Sequence, residues 1–104
     1  MNTYNDFQND IISLASELKA EYDLADALDH VHETVDGLQE VIYYAQAWDL
    51  VNMIRQSNYG LYQDAQEMLH DMGMDDTDLN TLMSSMAYCV YTVALNDYLY
   101  KTGE

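Results

Sequence analysis

The sequence predicts an all-α protein, a compact bundle of four to five helices in one domain spanning residues 1–104. Three observations carry that reading. Apolar residues recur three and four positions apart along nearly the whole chain, the spacing of one face of a helix. Proline is absent, and the four glycines stand singly, as punctuation rather than linkers. At 104 residues, 49% of them hydrophobic, the chain can bury a core of its own, and its length fits a single domain.

Each element follows from its own pattern. Phe7, Ile11, Leu14, Ala15, Leu18 and Tyr22 define a first helix from about Thr3 to Glu21. The stretch DLADALDHVHETVDG, Asp23 to Gly37, carries the second, with Leu24, Ala27, Leu28, Val31 and Val35 in one stripe. Gly37 is placed to end or bend it. LQEVIYYAQAWDLVNMIRQ, Leu38 to Gln56, is apolar over most of its circumference and predicts a central, largely buried third helix. Ser57 or Asn58 can cap a fourth, whose stripe is Leu61, Ala65, Met68, Leu69 and Met72, and Gly73 stands where a residue just past a helix end belongs. The segment MDDTD is a turn with Thr77 and Asp78 as cap candidates. A fifth helix then runs from Leu79 to about Lys101 through Leu82, Met83, Met86, Val90, Val93 and Ala94. TVALNDYLY has some strand propensity, but the pattern leading into it is helical.

Charge is the unusual feature. Nineteen Asp and Glu face Lys19, Arg55 and Lys101, a net charge of -16. Such an imbalance repels itself and disfavours direct binding to nucleic acid or to an anionic membrane. Basic protein surfaces and cations are the natural partners; the plainer use of the charge is solubility. The N-terminus MNTYNDFQND has neither the basic nor the apolar region of a signal peptide. No apolar run approaches the roughly 18 residues that cross a membrane. A cytoplasmic protein is expected. The one cysteine, Cys89, falls in the apolar run SMAYCVYTVAL and reads as a core residue.

The second helix concentrates its acids on one side. With each residue advancing about 100°, Asp26, Asp29, Glu33 and Asp36 fall about 120° to 200° from the apolar stripe. Glu40 joins them if the helix continues past Gly37. Carboxylates spaced three and four apart lie roughly 5–6 Å from one another, and like charges so placed cost a few tenths of a kcal/mol per pair. One DNA strand carries a charge per about 3.4 Å of axis, so a rigid ridge of this kind can imitate a phosphate backbone. The competing reading is an ordinary solvated face.

The histidines suggest metal, and their spacing argues against it. HETVD puts His32 and Asp36 four apart with Glu33 between, like a zincin motif whose second histidine is replaced. Zinc hydrolases need three protein ligands and an open position. His30 points away from His32, and His70 lies about 150° from its own helix's stripe. Di-iron bundles turn all their ligands inward, whereas Asp29 is on the outer ridge. His32 flanks the stripe and reads as a partly buried structural residue. MDDTD lacks the glycine and terminal glutamate of a calcium loop. No metal and no cofactor are expected. With no phosphate loop, no nucleophile motif and few basic groups, catalysis is not expected either.

Ten tyrosines, Trp48 and seven methionines are many for this length. Tyrosine suits interfaces because it buries area and keeps a polar tip. A homodimer is expected, with Tyr43, Tyr44, Trp48, Tyr88, Tyr91 and Tyr98 as candidate interface residues.

The run VHETVDG followed by YYAQAWDLVNM resembles the middle of the Ocr-like small acidic antirestriction proteins of phages. The positions that carry the likeness are Val31, His32, Asp36, Tyr43, Tyr44, Ala45, Trp48, Val51 and Met53. The likeness covers about thirty residues, and the acidic C-terminal tail of that family is replaced here by the mostly apolar TLMSSMAYCVYTVALNDYLYKTGE. It implies a helical dimer, acting in the host bacterial cytoplasm, that imitates DNA and occupies the DNA groove of a restriction enzyme or another nuclease. The partner would then meet the ridge of Asp26, Asp29, Glu33, Asp36 and Glu40. The alternative is a helical adaptor or inhibitor that binds another host protein through a Tyr/Met-rich apolar face.

Overall fold

The computed structural model describes residues 3–40, 44–73 and 78–102. These form six helices and no strand: α1 (Tyr4–Glu21), α2 (Leu24–Asp29), α3 (Val31–Gln39), α4 (Tyr44–Ser57), α5 (Tyr59–Asp71) and α6 (Leu79–Thr102). The all-α bundle is therefore the fold, with α2 and α3 standing where one helix is expected.

The helix starts are written in local chemistry. Thr3 accepts from the Asp6 amide at 3.2 Å while Asp6 accepts from the Thr3 amide at 3.0 Å, so two orphan donors of α1 are satisfied reciprocally. Asp23 caps α2 through the Asp26 amide at 2.9 Å. Asn58, one of the two cap candidates, holds the Leu61 amide at 3.2 Å and begins α5. At the far end of α5, Gly73 takes φ +71°, the left-handed conformation that a side chain resists. Asp78 opens α6 by accepting from the Thr81 amide at 3.1 Å and its hydroxyl at 2.8 Å. Those bonds hold its carboxyl below the usual carboxylate range, the backbone bond being the larger cause. Thr77, the other candidate, lies outside the described residues.

The central helix is α6, not the segment 38–56. α6 has 24 residues, about 36 Å of helix, and so runs the length of a molecule whose long axis is 38 Å. It packs against each of the other five helices. Met86, Ala87, Cys89, Val90, Thr92, Ala94, Leu95 and Leu99 are all buried, which leaves this helix without a polar face along its middle. The hydroxyl of Thr92, the one buried polar side chain among the described residues, donates to the Tyr88 carbonyl at 2.9 Å. Residues 38–56, by contrast, are divided. Leu38 and Gln39 finish α3, and α4 begins at Tyr44. Among its described side chains α4 buries Ala47, Val51 and Ile54, while Gln46, Asp49, Asn52, Arg55 and Gln56 face solvent. The polar residues interleaved at positions 46, 49, 52 and 55 make it an ordinary amphipathic helix.

Gly37 neither ends nor bends its helix. α3 continues to Gln39, and the Glu40 amide still reaches the Asp36 carbonyl at 3.2 Å. The interruption comes earlier, at His30, whose backbone sits at φ -90° and ψ -2°. The Thr34 hydroxyl donates back to the His30 carbonyl at 3.1 Å beside the regular Thr34 amide bond at 3.2 Å, an added bond of the kind that often bends helices.

Candidate functional site

The ridge exists as a surface. Asp26 and Asp29 lie on α2, Glu33 and Asp36 on α3, and Glu40 just beyond, all exposed. Below them Ala27, Val31 and Val35 are buried in the core. The backbone stays right-handed through the break at His30. Within each helix the acids stand three apart, Asp26 and Asp29 on α2 and Glu33 and Asp36 on α3, a spacing that makes them surface neighbours about 5–6 Å apart.

Local contacts distinguish the members. Glu33 leans towards His30, whose Nδ1 is 3.5 Å from its carboxylate. His30 in turn packs against Tyr22, ring centre to ring centre 4.1 Å. Between the end of α1 and the start of α3 is a groove of about 440 Å³, rimmed by Glu17, Glu21 and Glu33 and floored by Leu14 and Leu18. Asp36 stands at the other flank, beside Tyr88 of α6. Burial, and then the charge of Asp36, push the Tyr88 phenol above its ordinary value.

His32 is exposed, not partly buried, and it too meets Tyr88: its Nδ1 is 2.8 Å from the hydroxyl. About two turns further on, Gln39 Nε2 donates to the Ser84 carbonyl at 2.8 Å and to the Ser84 hydroxyl at 2.9 Å. Nothing in the local sequence points to these pairings, because the partners are 56 and 45 residues apart.

The charge is wholly outward. Sixteen of the nineteen Asp and Glu are described, the others being Asp75, Asp76 and Glu104, and every one of the sixteen is exposed. Against Lys19, Arg55 and Lys101 they leave a net -13 on the described residues. Spread along the 38 Å axis, that is one charge per about 3 Å, close to a single DNA strand and about half the density of a duplex.

The aromatic candidates are largely occupied within the chain. Tyr88, Tyr91 and Tyr98 are half-buried and pack against the core. Tyr91 lies 5.4 Å from Phe7, ring centre to ring centre, and burial followed by the charge of Asp10 raises its phenol. Trp48 is half-buried, and its indole donates to Asn80 Oδ1 at 3.1 Å. Tyr43 and the side chain of Tyr44 lie outside the described residues. Among the described residues the large apolar side chains that face solvent are Ile12, Tyr59, Met72, Leu79 and Tyr100; Met72, expected on the apolar stripe of the fourth helix, stands just past the end of α5 and is about half exposed.

Nothing in this arrangement gathers metal donors: among the described residues no three His, Cys, Asp or Glu side chains come together as a metal site. His70 is exposed on α5. Asp75 and Asp76 of MDDTD lie outside the described residues. Cys89 is buried, its Sγ 3.8 Å from Met72 Sδ, and burial pushes its thiol up to about 11. Among the described residues no helix is long and apolar enough to cross a membrane. Compared with known proteins, the chain matches no family model, no curated protein and no solved structure.

Proposed function

We propose that this protein docks on the DNA-binding groove of a basic protein partner, a restriction enzyme or similar nuclease, by presenting carboxylates where phosphates would lie. The observation that carries the reading is the outward placement of every described carboxylate, at a linear density close to that of a DNA strand. A protein surface evolved to grip phosphates meets the same charge, and steering of this kind raises association rates. The likeness of VHETVDG and YYAQAWDLVNM to Ocr-like antirestriction proteins points the same way and adds a homodimer. The ridge of Asp26, Asp29, Glu33, Asp36 and Glu40 is the part of the surface with backbone-like spacing.

The test is competition. Purified protein is added to restriction nucleases and their duplex substrates at graded salt. Inhibition that is relieved by excess DNA, and that fades steeply between roughly 50 and 200 mM salt, supports the reading. Partner binding that is indifferent to both salt and DNA overturns it in favour of an adaptor using the exposed Tyr59, Met72, Leu79 and Tyr100.

A further inference from the structure

We propose that Tyr88 and Ser84 of α6 form a two-point polar clasp that sets the roll of α3, and with it the direction in which the ridge carboxylates face. α3 has nine residues, of which Val31 and Val35 are buried. These two, with half-buried Leu38 on the same line, fix how deeply the helix sits. They resist its rotation about that line only weakly, because burial of apolar surface is non-directional. Directional bonds do resist it, since hydrogen bonds weaken steeply with angle.

Two such bonds are present, both on the flank between the buried stripe and the ridge. Taking Val31 as zero, His32 lies at about 100° and Gln39 at about 80°, while Asp36, Glu40 and Glu33 lie at about 140° to 200°. His32 Nδ1 meets the Tyr88 hydroxyl at 2.8 Å, with the two rings stacked at 6.4 Å and 13°. Gln39 Nε2 meets Ser84 at 2.8 and 2.9 Å. The anchors are seven residues apart on α3, about 10 Å, and four apart on α6 in the opposite order. Two points so separated define an axis and an angle, where one would leave a pivot.

The first point holds in either state of His32. With Nδ1 bare, the phenol donates to it. With Nδ1 carrying a hydrogen, the ring donates to the phenol oxygen, and the hydroxyl keeps its own hydrogen and turns it towards Asp36. The titratable groups acting on the Tyr88 hydroxyl at this point are Asp36 on α3 and Cys89 on α6. In both states Tyr88 stays bonded to α3, so the clasp does not depend on one protonation.

The clasp bears on the docking reading of the ridge, but it is tested in the free protein, so either can fail alone. Amide hydrogen exchange is measured on Tyr88→Phe, Gln39→Ala and their combination. Tyr88→Phe keeps the ring and removes only the hydroxyl. The expected result is exchange about tenfold faster at residues 35–39 in the double variant, with α1, α5 and the C-terminal half of α6 unchanged. His32→Gln, whose amide can still donate to the phenol, should restore the protection that His32→Ala loses. Unchanged exchange in α3 overturns the clasp. Equal acceleration in every helix also overturns it, because the bonds would then contribute only to global stability.

Discussion

Asn58 joins the two ends of a 54-residue interval: its Nδ2 donates to the Tyr4 hydroxyl at 2.8 Å while its Oδ1 holds the Leu61 amide at 3.2 Å. One side chain therefore caps α5 and ties it to the start of α1. Replacing Asn58 by Ala removes both. The cap alone is worth about 1 kcal/mol, and the lost bond to Tyr4 adds to it. Thermal unfolding should fall by about 5–10 °C for a domain of this size. Asn58→Asp, which keeps the cap acceptor and loses the donor, should fall by less. Equal losses in the two variants would show that the cap contributes nothing separate.

Gly37 offers the opposite change. It sits inside α3, exposed, and a Cβ added there meets nothing within 4 Å. Gly37→Ala should stabilise the protein by about 0.5–1 kcal/mol, since glycine loses more freedom on entering a helix. Urea unfolding gives the answer directly. A decrease in stability would mean that α3 does not run through this position.

The ridge itself is tested by charge removal at constant shape. Asp26→Asn, Asp29→Asn, Glu33→Gln and Asp36→Asn together should leave the helical content intact and relieve like-charge repulsion. Association with the DNA-binding partner should slow far more than in any single variant, because exposed ion pairs are individually worth roughly 0–1 kcal/mol. The control neutralises Asp49, Asp64, Glu67 and Asp97, which lie on other helices and cap none of them; Asp6 is unsuitable because it completes the cap of α1. Equal loss in both variants would reduce the effect to bulk charge, and no loss in either would exclude the ridge.

Cys89 reports on the core. With its thiol pushed up to about 11, it stays protonated through neutral and mildly alkaline pH. Its folded value is raised above the unfolded one, so its contribution to stability is complete below the unfolded value near 9 and is lost as pH rises towards 11. Iodoacetamide at about pH 8 should label the native protein far more slowly than the urea-unfolded chain. Comparable rates would mean that α6 is not buried at this residue.

Local pattern was enough for the helical class, for the stripe of α1 and that of α5 apart from Met72, for Gly73, and for Asn58 and Asp78 as one of two cap candidates each, because helix faces and helix ends are decided by residues within four positions of one another. The same local rule made Asp26, Asp29, Glu33, Asp36 and Glu40 legible as an outward ridge. It failed where the deciding partner was distant. Residues 38–56 and α6 are both rich in apolar side chains, and only packing reveals which one lies at the centre: α6 is surrounded by five helices, while the Gln, Asp, Asn and Arg of α4 find solvent. Nor does the chain show that Tyr88 and Tyr91 of α6 meet His32 and Phe7. Composition sets how much charge this protein carries. The bonds that seat α3 on α6 join residues 45 and 56 positions apart and come into reach only when the bundle closes.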